Sequence, residues 1–390
     1  MLYRELGKTK EKVSILGFGA MRLPTKNSNG NIDEEKANEM LSYGIDNGIN
    51  LVDTAYTYHS DNFSDEIGNC EPFLGEFLST GYREKILLST KSPSWLVEKK
   101  EDLDFYLDNQ LKRLQTDNID IYLLHTLTKD HWDKLKSLDV FEFMDRILDD
   151  GRIKHIGFSS HTEFDTLIDI VDNYDKWEIA LTQMNYIDKN YQTGIDGLNY
   201  LHELNIGNMI MEPLRGGRLV QNIPDNINKL WDKAEIKRTP VEWALEYLWD
   251  MESVDCVLSG MTTLDQVKTN IKIANKAEIG SISPNDKEII REVGREYNSR
   301  KGNECTECMY CMPCPEGVNI PGCFKEYNIG KMLNNPSASA MQYFSLISPE
   351  EHAENCTYCK KCLSHCPQNI NIPEELEKVH ELFGEEYNHY

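Results

Sequence analysis

Cysteine is nearly absent from the first 299 residues, which hold only Cys70 and Cys256, too few for a disulfide framework. No uninterrupted apolar run approaches the roughly 20 residues of a membrane-spanning helix. The opening stretch MLYRELGKTKEKVSILGFGAM lacks the apolar segment of a secretory signal. A cytoplasmic protein with no membrane partner is expected. Positive charge is scarce as well: 41 Lys and Arg face 65 Asp and Glu, for a net charge of −24. Nucleic acids and anionic lipid surfaces demand clustered cations, so neither is an expected partner. A glycine-rich dinucleotide fingerprint is also missing. GFGAM matches it only in part, and no helix starts behind it.

What the chain does have is regular alternation. Short β-branched runs, SILGFGAM, NLVDTA, KILLSTK, IDIYLLH, RIKHIGFSS, IALTQMNY, GNMIMEPL and VDCVLSGM, alternate with helical patterns from residue 13 to about 275. In the first helical pattern Ala37, Met40, Leu41, Gly44, Ile45 and Gly48 share one face, and Asp33 is the expected cap. Eight strand–helix units in about 260 residues predict a closed (β/α)8 TIM barrel, an α/β fold, over residues 1–283. Pro284 opens a bridging helix over 284–299, and residues 300–390 form a second, mainly α module.

That module holds nine of the 11 cysteines. Cys305, Cys308, Cys311 and Cys314 fall at a three-residue step, and Cys356, Cys359, Cys362 and Cys366 nearly repeat it; each run ends in Cys-Pro. Thiolates at C-x2-C-x2-C spacing suit three corners of an iron–sulfur cubane, with the cysteine before proline supplying a fourth ligand. Zinc ribbons, the competing use, pair C-x2-C knuckles and need no third cysteine at the same step. CPEGVNIP and CPQNINIP are near copies 52 residues apart, so the unit reads as a duplication. Over about residues 303–373 it resembles a bacterial-type two-cluster ferredoxin, which implies two 4Fe–4S clusters. The family's fourth cysteine ligates the other run's cluster. The first run is one residue short before Cys314, and nearby Cys323 is read either as a substitute ligand or, by preference, as a small buried thiol.

In a barrel, functional side chains come from the C-terminal ends of strands. DTAYTY, STK and LLH present Asp53, Tyr58, Lys91 and His125 from successive strands. A strand-end Asp and Lys commonly form a structural ion pair, and a lone His is commonly a core residue. Together, however, the four suit carbonyl reduction. Lys91 lowers the pKa of the Tyr58 phenol, Asp53 holds Lys91, and His125 bonds the carbonyl oxygen.

Across roughly residues 3–275 the sequence resembles the aldo-keto reductases. LGFGAMRLP matches their opening strand, LVDTAYTYHSDNFSDEIG their Asp-to-Tyr signature, and the four residues their tetrad. The resemblance implies a nicotinamide cofactor and a small carbonyl or alcohol substrate. IGFSS implies Ser159 and Ser160 at the carboxamide, with Ser160 where Asn is usual, and Gln183 completes that contact. SGMTTLDQVKTN implies Gly260, Gln266 and Asn270 at the adenosine end. Met211 stands where the family stacks a Tyr on the nicotinamide. Thr262 and Thr263 stand where NADP-preferring members carry cations, so NAD and NADP both stay open. Arg215 and Arg218 are read either as pyrophosphate ligands or as surface residues. As a whole the chain resembles the ferredoxin-type branch of that family: an iron–sulfur oxidoreductase exchanging electrons with a protein partner. Two alternatives are a flavin on the same barrel, and an electron carrier or redox sensor with the barrel as scaffold.

Overall fold

The computed structural model describes residues 1–26, 31–60 and 67–387, with side chains described to residue 384. Residues 61–66 of the Asp-to-Tyr signature stretch lie outside the described residues. Two compact units form: residues 1–216 with 239–283, and residues 217–238 with 284–390.

The first unit is a closed, all-parallel barrel. A short antiparallel hairpin, β1 (Tyr3–Glu5) and β2 (Lys12–Ser14), precedes it. The barrel strands are β3 (Leu16–Gly19), β4 (Leu51–Asp53), β5 (Leu87–Ser92), β6 (Ile119–Leu127), β7 (Ile153–Ser160), β8 (Ile179–Gln183), β9 (Gly207–Met211) and β10 (Cys256–Gly260). Their order around the barrel follows the chain, and β10 closes on β3. The hairpin is an element that the periodicity missed, because its three-residue strands carry too little pattern. Its role is packing. Leu6 and Val13 join Leu51, Leu87, Ile121, Ile179 and Met209 in one buried cluster, at the end where the strands begin.

Helices follow the apolar pattern. The helix Glu34–Asp46 buries Ala37, Met40, Leu41, Gly44 and Ile45, and the Asp33 carboxylate accepts from the Lys36 backbone N–H. Gly48 lies past its end with φ +104°, a turn that glycine adopts without steric cost.

In the second unit the helices Pro284–Asn298, Ile320–Met332, Pro336–Leu346 and Ile372–Tyr387 accompany the segment 217–238. That segment lies inside the span expected for the barrel, but it groups with the helix Pro284–Asn298 through charge pairs. Lys233 bonds Glu292 at 2.8 Å and Arg238 bonds Asp286 at 2.9 Å.

Close approach of strands leaves Gly157 without room for a side chain. A Cβ on Gly157 in β7 would stand 2.4 Å from the Ile179 carbonyl oxygen and 2.7 Å from Leu123 Cδ2. Backbone cannot yield there as a flexible side chain would. Gly157→Ala should destabilise the protein by about 2 kcal/mol or more, as overpacking does, measured by urea denaturation. A change within about 0.5 kcal/mol would mean the strands part freely.

Candidate active site and cysteine centres

The barrel's order places the predicted residues on one rim. Asp53 ends β4, Lys91 is next to last in β5, and His125 sits near the end of β6. Ser159 and Ser160 end β7, Gln183 ends β8, Met211 ends β9 and Gly260 ends β10.

Lys91 is the hub. Its ammonium, 1 % exposed, donates to Asp53 Oδ2 at 2.6 Å, to the Thr54 carbonyl at 2.7 Å and to Tyr58 Oη at 3.1 Å. Ser89 donates to the other Asp53 oxygen at 2.8 Å. Burial works to lower the Lys91 pKa, but Asp53 and Tyr58 more than offset it and the net shift is upward. The sequence suggests that Lys91 depresses the Tyr58 phenol. It does pull downward, yet the packing around Tyr58 raises that pKa further than Lys91 lowers it. Tyr58 is thus held as a protonated donor beside a fixed cation. Burial first, and then Lys91 and His161, push His125 well below the ordinary imidazole value, so its ring is neutral near pH 7. Among the described residues its Nδ1 is buried without a hydrogen-bond partner.

Behind this rim lies a buried polar network that sequence reasoning missed. Gln110 donates to Glu71 at 2.6 Å and to the Lys91 carbonyl at 3.0 Å, and Glu71 also pairs with Arg113 at 2.9 Å. Arg113 in turn donates to the Gly68 carbonyl, beside the Tyr58 segment. The sequence signal is slight: a Glu and a Gln on helices whose other inward positions are apolar.

The expected nucleotide residues behave unequally. Ser159 Oγ accepts from the Thr126 N–H at 2.9 Å, which leaves its hydrogen uncommitted among the described residues. Ser160 donates to the Leu127 carbonyl at 3.0 Å. Gln183 donates through Nε2 to Asp188 at 2.9 Å. Met211 pairs with Gln183 in register and is half-buried. Gly260 leaves room for the Arg22 side chain, 2.9 Å from where its Cβ would lie. Gln266 Oε1 accepts from the Thr262 N–H at 2.7 Å, and Asn270 donates to Ser259 at 3.1 Å. Arg215 is buried against Asp188, whereas Arg218 belongs to the second unit and donates to the Ala338 carbonyl at 3.0 Å.

In the second unit the two cysteine runs share a backbone pattern. Glu307 and Met309 in the first run have φ of 58° and 63°; Tyr358 and Lys360, at matching positions, have 58° and 61°. Gly317 and Asn369 match in the same way at 81° and 54°. Left-handed residues alternating with others turn successive N–H groups inward, a concavity that suits anionic iron–sulfur sites. The Glu307 N–H already points at Cys305 Sγ, 3.4 Å away. Cys305, Cys308, Cys311 and Cys366 line one open pocket, walled by Ile320, Phe324, Ile370 and Ile372. On the other side, burial raises the Cys362 thiol, and Cys356, Cys359 and Cys314 are the thiols acting on it. Cys323 is fully buried with its thiol pushed up to about 12, as a core residue would be.

Comparison with known proteins finds two family matches along the chain. Residues 15–283 match the model of the aldo/keto reductase family, and residues 304–370 match a 4Fe-4S dicluster domain. Protein tas of Escherichia coli is 26 % identical over 325 residues, covering 70 % of this chain and 92 % of that protein. L-galactose dehydrogenase of Arabidopsis thaliana is 26 % identical over 313 residues, covering 74 % and 92 %. The structure of the aldo-keto reductase AKR11C1 from Bacillus halodurans, in its holo form, aligns with a TM-score of 0.62 at 26 % identity, covering 75 % of this chain and 96 % of that one. With the family model spanning the whole barrel, the chain belongs to the aldo/keto reductase family, as an oxidoreductase that carries a 4Fe-4S dicluster domain beyond its barrel.

Proposed function

We propose that the barrel interconverts a small carbonyl compound and its alcohol with a nicotinamide nucleotide, and that the cysteine unit holds two 4Fe–4S clusters serving a protein electron partner. One observation carries the proposal: Lys91 Nζ bridges Asp53 at 2.6 Å and Tyr58 Oη at 3.1 Å. A bound nicotinamide supplies hydride, and each cluster supplies or takes one electron at a time. The chain's own residues do the rest. Tyr58 delivers its phenolic proton to the carbonyl oxygen, and Lys91 stabilises the phenolate that remains. Neutral His125 orients that oxygen by hydrogen bonding. In the reverse direction the Tyr58 phenolate takes the alcohol proton. For the carboxamide, Ser159 offers an uncommitted hydroxyl hydrogen and Gln183 a carbonyl oxygen, a donor and an acceptor.

For the clusters, the proposed ligand sets cross the runs. One is Cys305, Cys308, Cys311 and Cys366, supported by the pocket that those four line. The other is Cys356, Cys359, Cys362 and Cys314, supported by the effect of the other three thiols on Cys362. Cubanes need thiolates, whereas burial raises Cys305, Cys311 and Cys362 above the ordinary thiol value. Metal binding displaces those protons, so assembly should be favoured by rising pH.

Tyr58→Phe should leave nucleotide binding nearly intact and lower carbonyl turnover by about 100-fold or more. Lys91→Met should do likewise by removing the cation that stabilises the phenolate. Parent-like rates in both variants would place the chemistry elsewhere.

Protein purified without oxygen should carry about eight iron and eight sulfide per chain. Electron paramagnetic resonance of the reduced protein should show Cys366→Ser perturbing the same cluster as Cys305→Ser, and Cys314→Ser the same cluster as Cys359→Ser. If Cys366→Ser alters the signal shared with Cys356 and Cys359, each run closes its own cluster.

A further inference from the structure

Asp188 is a buried carboxylate that the tetrad does not use. It lies in the turn after β8 and is 6 % exposed. A single oxygen, Oδ2, accepts from Gln183 Nε2 at 2.9 Å, Asn185 Nδ2 at 2.8 Å and Arg215 Nε at 2.8 Å. The arrangement is locked from several sides. Asn185 Oδ1 accepts from the N–H groups of Ile187 and Asp188, at 3.1 and 3.2 Å. Arg215, 8 % exposed, follows β9 and has a left-handed backbone with φ 48°. Burial pulls the Arg215 pKa down, but Asp188 and Glu212 more than offset it, so the counter-ion stays charged.

A carboxylate can only accept hydrogen bonds, whereas a glutamine amide has a donating end and an accepting end. Facing Asp188, Gln183 must present its NH2 group. Its carbonyl oxygen then faces the opposite way. Without such a partner the side chain could turn either end toward a ligand. We infer that Asp188 is a positioning residue: it holds Gln183 with its acceptor oxygen toward the ligand and thereby selects a nicotinamide ring that carries an amino-bearing carboxamide. The inference rests on the nicotinamide reading above. Ser160 strengthens it, because its hydroxyl hydrogen is committed to the Leu127 carbonyl. Of the three side chains assigned to the carboxamide, Gln183 is then the one that meets its N–H groups. Arg215 balances the Asp188 charge, which as an unpaired buried ion would be strongly destabilising.

The test compares binding of reduced nicotinamide nucleotide with binding of its 3-acetylpyridine analogue. The analogue keeps the ring carbonyl but has methyl in place of the amino group. Titration of the cluster-loaded, full-length protein should show the parent binding the analogue about tenfold more weakly or worse, because a buried acceptor loses its donor. The double variant Asp188→Leu with Arg215→Met removes the anchoring oxygen and both charges together, so no lone buried ion remains. Its discrimination should fall to about twofold or less as the Gln183 amide turns freely. Asp188→Asn keeps an oxygen for the same three donors and should keep the parent's discrimination.

Undiminished discrimination in the double variant would make Asp188 merely structural and overturn the inference. So would its loss in Asp188→Asn. A parent that binds both nucleotides equally overturns it without any variant. A parent that binds neither nucleotide defeats the nicotinamide reading itself, and this inference with it.

Discussion

The barrel's rim is organised around a lysine ammonium buried among strands. Lys91 is shielded from water, and a bare cation there would be prohibitive. It is tolerated because Asp53, from the neighbouring strand, lies 2.6 Å away and the Thr54 carbonyl 2.7 Å away. Removing one partner of such a pair typically costs about 3–5 kcal/mol, so the strands β4 and β5 cannot slip without exposing that penalty. The same constraint gives Tyr58 its neighbour. Burial alone would leave the phenol a poor acid, and the fixed cation is what makes its conjugate base tolerable. Packing and the proposed catalysis therefore draw on one interaction.

The second unit is organised differently. Its buried cluster gathers Val318, Ile320, Phe324, Tyr327, Tyr343, Ile372, Val379 and Phe383, with most of the paired cysteines packed against it. The cysteine runs themselves contain little regular structure, and left-handed residues recur at matched positions in both. Backbone of that kind finds few partners of its own, so the proposed metal ligation would supply what helix and sheet supply elsewhere. Crossed ligand sets would also tie the two halves of the duplication together, since Cys366 shares a pocket with Cys305 although 61 positions separate them.

Much of this architecture is legible in the amino-acid sequence. Eight strand–helix units announce a parallel barrel because both faces of each strand are buried and the connections are helical. Strand-end residues DTAYTY, STK and LLH fall on one rim because successive strands are neighbours. The near-copy repeats CPEGVNIP and CPQNINIP correspond to matched turns, and Gly317 and Asn369 have the matching left-handed backbone. The features that the sequence hides depend on contacts rather than pattern. The segment 217–238 has the composition of any surface helix, and contacts such as its ion pairs to Glu292 and Asp286 reveal its unit. Glu71, Gln110 and Asp188 are single polar residues whose partners are distant in sequence or hidden in a turn. The upward shift of Tyr58 follows from three-dimensional packing, which spacing cannot express.

Two kinds of electron chemistry are proposed for this chain, and the most direct discrimination between them is isotopic. Reduced nicotinamide nucleotide carrying deuterium at both C4 positions can be supplied to anaerobic, cluster-loaded protein with a turned-over carbonyl substrate, and the alcohol analysed by mass spectrometry. Direct hydride transfer across the Tyr58–Lys91–Asp53 site places deuterium on the carbinol carbon, one atom per turnover. Alcohol that forms without the label, while the nucleotide is consumed and the clusters are reduced, would contradict hydride transfer and make the barrel an electron relay.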